Sequence, residues 1–376
     1  MTSSRCESNV LDAVIVGAGF AGIGAAAELL RRGIDDFVIL ERAADVGGVW
    51  RDNTYPGCRC DVPSSLYSFS FLSKSDWSDR FAGQPEIQAY LKKSVRDLGL
   101  DSHLRLNCDV AQATWESASQ RWQVATSAGD SITARMLIVG SGALNEPTIP
   151  KIDGLNSFEG ELFHSSQWPT DFEPGGKRIA VIGTGASAVQ LVPQIVQSAR
   201  QVTIYQRTAP WIVPRGDREI PGWRQKVHAW LPATMLASRG FDFTRRELMT
   251  NSFVKSGRLL GMIERAGRRH IARQVGDARL RSQVTPNFRA GCKRILMSDD
   301  WYPALQRANV ELVTDPIARM SAAGIETHSA KNPGDFREFD AVVLATGFRV
   351  QRRSILSQII GAHGKSIAAT MILTEP

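Results

Sequence analysis

Asp12-Ala13-Val14-Ile15-Val16-Gly17-Ala18-Gly19-Phe20-Ala21-Gly22 is an unbroken apolar run that gives way to a glycine-rich turn. A run of this length without polar alternation predicts a strand buried on both faces of a parallel sheet. Gly17, Gly19 and Gly22 follow it with the G-x-G-x-x-G spacing. In that pattern the first glycine permits the tight turn, the second lets the backbone approach a pyrophosphate, and the third lets the helix pack against the strand. The helix that opens here then offers its N-terminal amides and positive dipole end to phosphates. It runs to Arg32 and breaks at Gly33, and a second strand follows at Phe37-Val38-Ile39-Leu40. Glu41 stands at the end of that strand, 19 residues beyond Gly22. A carboxylate at this place accepts hydrogen bonds from ribose hydroxyls. The segment is therefore read as a dinucleotide-binding βαβ unit.

The same sentence is spelled a second time. Arg178-Ile179-Ala180-Val181-Ile182 predicts a strand, Gly183-Thr184-Gly185-Ala186-Ser187-Ala188 a turn, and the residues to about Gln197 a helix, before the strand Val202-Thr203-Ile204-Tyr205. Gly183, Gly185 and Ser187 are the phosphate-facing candidates. No carboxylate follows this strand; Arg207 and Thr208 stand there instead. An acidic group would repel a 2′-phosphate, whereas a guanidinium binds one with paired hydrogen bonds. The second site is thus expected to take NADPH in preference to NADH. Two such sites in one chain imply two dinucleotides, or a nicotinamide dinucleotide beside a flavin; the usual arrangement puts FAD in the first site and the nicotinamide in the second, so that hydride passes to the flavin ring.

Around these anchors the chain reads as α/β, with two Rossmann-like dinucleotide-binding domains and a helical insertion. Residues 1–145 plus 330–376 form the first, FAD-binding domain. Residues 146–215 plus 291–329 form the second, NADP-binding domain, and 216–290 the insertion. Gln84–Leu98 predicts an amphipathic helix; Trp122–Thr126, Met136–Val139, Val310–Val313 and Ala341–Leu344 predict strands. The net charge is +7, and Arg215–Arg294 carries 18 Lys and Arg against 6 Asp and Glu. No nucleic-acid motif accompanies this excess, so it reads as a solvated helical face beside an anionic-cofactor site, with no nucleic-acid partner. Leu11–Leu30 is long enough to span a bilayer, but its glycines, Asp12 and Glu28 favour strand–turn–helix, and no integral membrane segment is expected. Met1–Asn9 is short and polar, without the apolar core of a secretory signal. Five scattered cysteines, Cys6, Cys58, Cys60, Cys108 and Cys292, suit reduced thiols in a cytoplasm. Cys58 and Cys60 have the spacing of neither a zinc site nor a C-x-x-C redox pair, and no metal is expected.

Phe158-Glu159-Gly160-Glu161-Leu162-Phe163-His164-Ser165-Ser166-Gln167-Trp168-Pro169 has the form F-x-G-x-x-x-H-x-x-x-W-P and lies just ahead of the second nucleotide fold. It resembles the fingerprint of the Baeyer–Villiger flavoprotein monooxygenases. Gly47-Gly48-Val49-Trp50-Arg51 with Tyr55-Pro56-Gly57-Cys58-Arg59-Cys60-Asp61-Val62-Pro63 resembles that family's flavin-wrapping segment. Tyr67-Ser68-Phe69-Ser70-Phe71, Cys292-Lys293-Arg294 followed by Trp301-Tyr302, and Ala345-Thr346-Gly347-Phe348 are similar to further family segments. The details around Gly57 to Ser64 are closest to the branch acting on aryl ketones such as 4-hydroxyacetophenone. The resemblance covers nearly the whole chain to Arg349. The family normally continues for well over a hundred residues beyond Phe348, so the chain reads as C-terminally truncated, with an incomplete FAD-binding domain.

The resemblance implies a monooxygenase that uses FAD and NADPH to insert one atom of O2 into a ketone through a peroxyflavin, giving an ester or lactone. It implies catalytic roles for Arg294, for Asp61 as the partner that holds it, and for His164 as a linker and cofactor-control residue. Gly48, Trp50, Asp61, Tyr67 and Val110 join the flavin-contacting set, and Lys293 and Arg294 the NADPH-contacting set, Lys293 sharing the 2′-phosphate with Arg207 and Thr208. A guanidinium suits the catalytic role because it stays protonated at any working pH and can meet developing negative charge in a water-poor site. Oxygenation of a thioether or amine, and a non-catalytic nucleotide-binding homologue, are the alternatives.

Overall fold

The computed structural model describes residues 10–255, 257–328, 333–350 and 354–372; Met1–Asn9 with Cys6, and Arg352 and Arg353, lie outside them. The chain divides into two compact units. One comprises residues 1–52, 85–147 and 348–376; the other comprises 53–84 and 148–347.

The first unit is built on a seven-stranded sheet. Its parallel part joins the strand Leu11–Val16 to Phe37–Leu40 on one side and to Ser131–Val139 on the other. Ala13, Val14 and Ile15 are wholly buried, as an apolar run without alternation requires. The helix Phe20–Arg31 lays Ile23, Ala26, Ala27 and Leu29 on this sheet at three- and four-residue spacing. Beyond Ser131–Val139 the sheet turns antiparallel through Arg121–Thr126 and Val110–Glu116. Ile359–Ile360, from the end of the chain, pairs in parallel with Val110–Glu116.

The second unit holds a wholly parallel five-stranded sheet in the order Val310–Val313, Gln201–Tyr205, Arg178–Ile182, Ala341–Leu344, Glu161–His164. Its strands face apolar neighbours on both sides. Ile179, Val181 and Ile204 enter one core with Val189, Val192 and Trp301, while Ala180, Ile182 and Leu344 enter another with Phe158, Met320 and Phe339. A three-stranded antiparallel sheet, Ile317–Ser321, Gly324–His328 and Pro333–Glu338, follows the strand Val310–Val313. The predicted insertion is helical: Gly222–Trp230, Pro232–Lys255, Gly257–Gln274 and Ala278–Val284. No helix of the described residues is long and apolar enough to cross a membrane, and Leu11–Leu30 is indeed strand, turn and helix.

The α/β class with two Rossmann-like sheets is as the sequence leads one to expect, but the compact units divide the chain at other points. Residues 53–84, read as part of the first domain, pack with the second unit. Long-range bonds hold them there. The Tyr55 hydroxyl donates to Gln190 Oε1 at 2.9 Å, Gln190 Nε2 donates to the Arg59 carbonyl at 2.9 Å, and Arg59 pairs with Asp217. Likewise Ala341–Leu344 lies between Arg178–Ile182 and Glu161–His164, so the chain returns to the first unit only at Phe348 and not at residue 330. The helices of 216–290 belong to the second unit and form no body of their own.

Candidate functional site

The two glycine turns are constructed alike. In the first, Gly17 N donates to Leu40 O at 2.8 Å and Gly140 N donates to Val16 O at 2.8 Å. In the second, Gly183 N donates to Tyr205 O at 3.1 Å and Ala345 N donates to Ile182 O at 2.9 Å. Each turn is thus pinned by the next strand of its βαβ unit and by the segment leaving a neighbouring strand. That segment comes so close that a side chain is excluded. A Cβ on Gly17 (φ +97°) would lie 2.8 Å from Gly140 O, and one on Gly183 (φ +113°) 2.4 Å from Ala345 O. The Ala345-Thr346-Gly347 stretch therefore serves the second turn as Gly140-Ser141-Gly142 serves the first.

The middle glycines behave oppositely. A Cβ on Gly19 would meet nothing closer than Gly48 Cα at 3.8 Å, and one on Gly185 meets nothing within 4 Å. Each is the N-cap of its helix, Phe20–Arg31 and Ala186–Ile195, and no side chain caps either helix. Each turn thus presents an open cradle at a positive helix end, the shape and charge that a dinucleotide pyrophosphate needs. Ser187 lies half-buried in the first turn of the second helix.

Glu41 is buried, and three donors already orient its carboxylate: Ala18 N at 2.9 Å, Ala43 N at 3.0 Å and Arg51 Nη1 at 3.0 Å. A carboxylate has about four acceptor positions, which leaves room for a ribose hydroxyl. Gly48 (φ +54°) sits 3.4 Å, measured from its would-be Cβ, from Gly19 Cα. Trp50 is buried on the short helix Val49–Asp52. Val110 is buried where its strand begins, just after Cys108 N donates to Glu41 O at 2.9 Å. These first-site candidates all belong to the first unit, whereas Asp61 and Tyr67 belong to the second.

In the second unit Arg207 and Lys293 are exposed and Thr208 is half-buried. The Thr208 carbonyl accepts from Thr184 Oγ1 at 3.2 Å, which joins the phosphate turn to the end of the next strand. The Lys293 ammonium stands 4.9 Å from the centre of the Phe288 ring. Arg294 Nη2 donates to Asp61 Oδ2, so the two residues paired on the family resemblance do meet, across 233 positions of sequence. The pair is open to water, with the Arg294 side chain 60% exposed. Exposed pairs contribute about 0–1 kcal/mol, so this one cannot fix its own geometry. Cys58 and Cys60 are raised by burial to about 11 and about 12, which keeps both as thiols at neutral pH.

The F-x-G-x-x-x-H-x-x-x-W-P stretch is the edge of the second sheet and its approach. Phe158 folds into the core, and a Cβ on Gly160 would strike its ring at 2.6 Å and the Asp340 carbonyl at 2.7 Å. Glu161–His164 is the edge strand, aligned with Ala341–Leu344. Trp168 meets Phe163 and Phe172 edge-on at 5.2 and 5.1 Å. His164 is buried; its Nδ1 accepts from the Ser166 amide at 3.2 Å and lies 2.8 Å from Ser166 Oγ. Burial lowers its pKa, opposed by a backbone hydrogen bond with Gly347. The folded chain therefore disfavours the protonated ring, while the unfolded chain takes up a proton near pH 6.5. Stability from this group is present above that pH and is lost as pH falls. Acidification from pH 7 to 5 should lower the Tm of the parent chain more than that of His164→Gln. His228, lowered by burial and Arg224, acts with the same sign in both proteins. Parallel Tm curves would remove His164 as the cause.

Sequence reading overlooked Arg51 as the partner of Glu41, Gln190 as the tether of Tyr55 and Arg59, and Arg246, whose Nη2 donates to the Asp61 carbonyl at 2.7 Å. Arg51 lies 10 positions from Glu41 with no motif to join them. Gln190 lies 135 positions from Tyr55, and Arg246 lies 185 from Asp61, so no local spacing could have signalled either.

Residues 14–225 match the family of pyridine nucleotide-disulphide oxidoreductases. The chain is similar to a Baeyer-Villiger monooxygenase of Streptomyces coelicolor, 42% identical over 356 residues, which cover 95% of this chain and 68% of that one. It is also similar to a Baeyer-Villiger monooxygenase of Pseudomonas aeruginosa, 40% identical over 94% of this chain and 66% of that one. The chain thus spans about two thirds of the length of these curated relatives. Among solved structures, an oxidized steroid monooxygenase bound to NADP superposes with a TM-score of 0.84 at 30% identity, covering 96% of this chain and 76% of that one. A cyclohexanone monooxygenase from Rhodococcus sp. Phi1 bound to NADP+ does so with a TM-score of 0.82 at 27% identity, covering 95% and 74%.

Proposed function

Since the chain belongs to the Baeyer–Villiger monooxygenases, within the pyridine nucleotide-disulphide oxidoreductases, we propose that it binds FAD at Gly17–Gly22 and NADPH at Gly183–Ala188 and converts a ketone to an ester or lactone. The balance is ketone, O2, NADPH and a proton giving ester, NADP+ and water. The observation that carries this reading is the pair of open glycine cradles, Gly19 and Gly185, each at an uncapped helix N-terminus.

When bound, the flavin supplies the redox chemistry that takes hydride from NADPH and delivers one oxygen atom of O2 to the substrate. The residues of this chain bind and orient. Glu41, held by Ala18 N, Ala43 N and Arg51, offers its remaining acceptor capacity to the FAD ribose. Gly48, Trp50 and Val110 complete the first unit's flavin-contacting set, and the family resemblance assigns flavin contacts to Asp61 and Tyr67 as well. Arg207, Thr208 and Lys293 take the 2′-phosphate, and Ser187 the pyrophosphate. Arg294, held by Asp61, presents the fixed cation that meets negative charge as it develops on oxygen. His164 acts as a structural linker of the second sheet. The aryl-ketone-like spelling around Gly57–Ser64 makes aryl ketones the first substrates to try, and thioethers the contrast. The unbridged thiols of half-buried Cys58 and buried Cys60 suit a reducing, cytoplasmic setting.

Expression with added FAD tests the reading. The purified chain should be yellow, its flavin should be reduced faster by NADPH than by NADH, and an aryl ketone should yield ester. A colourless chain that takes up no FAD defeats the proposal, and equal reduction by both nucleotides removes Arg207 from it.

A further inference from the structure

Resting on that functional reading, we propose that Arg246 is a positioning residue for the Asp61–Arg294 pair, acting through the backbone of Asp61 as part of a three-residue clamp. The clamp is one face of the helix Pro232–Lys255. Arg239, Asp242 and Arg246 are spaced by three and four residues, which puts them on one side of a helix. All three reach the same short segment. Arg239 Nη1 donates to the carbonyls of Ser65 and Ser68, each at 3.2 Å, and to Ser68 Oγ at 3.3 Å. Ser65 Oγ donates to Asp242 Oδ2 at 2.5 Å. Arg246 Nη2 donates to the Asp61 carbonyl at 2.7 Å.

The other side of this segment is held independently. Ser64 Oγ donates to the carbonyl of Asp79 at 2.7 Å, Ala82 N donates to Ser64 Oγ at 3.0 Å, and Cys60 N donates to Ala82 O at 2.9 Å. Residues 61–68 are therefore gripped from two directions, and Asp61 is at the end of the grip nearest Arg246. The Asp61 carboxylate reaches Arg294 in a place open to water, where the ion pair is too weak to choose its own orientation. A charge-assisted bond to the Asp61 carbonyl fixes the peptide from which that carboxylate projects, and so fixes where Arg294 is held. This gives three of the 18 basic and 6 acidic residues of Arg215–Arg294 an inward task distinct from a solvated face.

The test compares the whole chain with Arg246→Met, Arg246→Lys and Ser65→Ala. Hydrogen exchange is read at the amides of Ser64, Leu66 and Tyr67, which are bonded to Arg80 O and Pro63 O in the folded chain. Arg246→Met should speed exchange of these amides by about tenfold or more, as loss of a bond from a charged donor predicts. Ester formed per NADPH consumed should fall in step while KM for NADPH stays constant. Arg246→Lys should restore part of both, and Ser65→Ala should show the same changes at smaller size. Unchanged exchange in folded Arg246→Met overturns the clamp. Faster exchange with a parent-like ester yield overturns the positioning role. If Arg246→Met does not fold, the Lys and Ser65→Ala variants decide by the same two readings. A parent chain that forms no ester defeats the functional reading alone, and exchange at 61–68 still decides the clamp.

Discussion

Arg294→Ala is expected to go on consuming NADPH while its ester yield falls by about a hundredfold or more. Loss of one preorganised donor to a developing oxyanion typically costs about 2.7–4 kcal/mol of barrier, or two to three powers of ten in rate. The effect should fall on oxygen transfer because the guanidinium is held at Asp61, while hydride delivery depends on where the nicotinamide is gripped. On the proposed reading, Arg207, Thr208 and Lys293 still hold the NADPH 2′-phosphate in the variant, so the cofactor stays anchored. Stability should barely change, since the Arg294–Asp61 pair is open to water and exposed pairs contribute about 0–1 kcal/mol. The measurement is ester and NADPH consumption in the same reaction, with Tm recorded alongside. A parent-like ester yield takes Arg294 out of the chemistry. A parallel fall in NADPH consumption would instead make it chiefly a nicotinamide-binding residue. Asp61→Asn should lie between the parent and Arg294→Ala, because the guanidinium survives but loses its anionic partner.

The parts of this arrangement that sequence made legible are the local ones. Both βαβ units could be read because strand, turn and helix are contiguous and the turn spells its own geometry: Phe37–Leu40 and Arg178–Ile182 are strands over the very residues expected. The Asp61–Arg294 pair was legible only through family resemblance, since no spacing rule connects positions 233 residues apart. The allocation of residues 53–84 was not legible at all. It depends on Gln190 receiving the Tyr55 hydroxyl and on Asp217 pairing with Arg59, and neither partner belongs to a motif. Glu161–His164 reads as fingerprint instead of strand because its four residues are too few to show a period, and only pairing with Ala341–Leu344 makes it sheet. Arg246 escaped notice for a related reason. Its helix turns Arg239, Asp242 and Arg246 inward, so the usual apolar stripe that reveals a packed face is replaced by two guanidinium groups that donate to backbone carbonyls and a carboxylate that accepts from Ser65 Oγ.

Gly22→Ala and Gly19→Ala should both yield chains that lose their yellow colour, but for different physical reasons that a Tm measurement separates. A Cβ on Gly22 would lie 1.8 Å from the Gly17 carbonyl oxygen, a backbone atom with nowhere to retreat. Gly17 itself is backed by Gly140 O at 2.8 Å from its would-be Cβ, and Gly140 in turn faces Gly22 N at 2.9 Å. The three glycines form one backbone-on-backbone contact, so the helix Phe20–Arg31 must move off the sheet. Overpacking of this kind costs about 1–3 kcal/mol, and Tm should fall accordingly. Gly19 has an extended φ of −88° and ordinary space around it, the nearest atom being Gly48 Cα at 3.8 Å. Alanine there costs the fold little, so Tm should stay near the parent value. Its methyl group nevertheless occupies the cradle at the helix N-terminus, where phosphate oxygens would approach the backbone. Each charge-assisted bond lost there costs about 1.5–3 kcal/mol, roughly tenfold to a hundredfold in affinity. Flavin content after purification and Tm of the apo chain are the two readings. A Gly19→Ala chain that keeps its flavin would mean that the first turn is a packing device only, and the FAD site would have to be sought elsewhere.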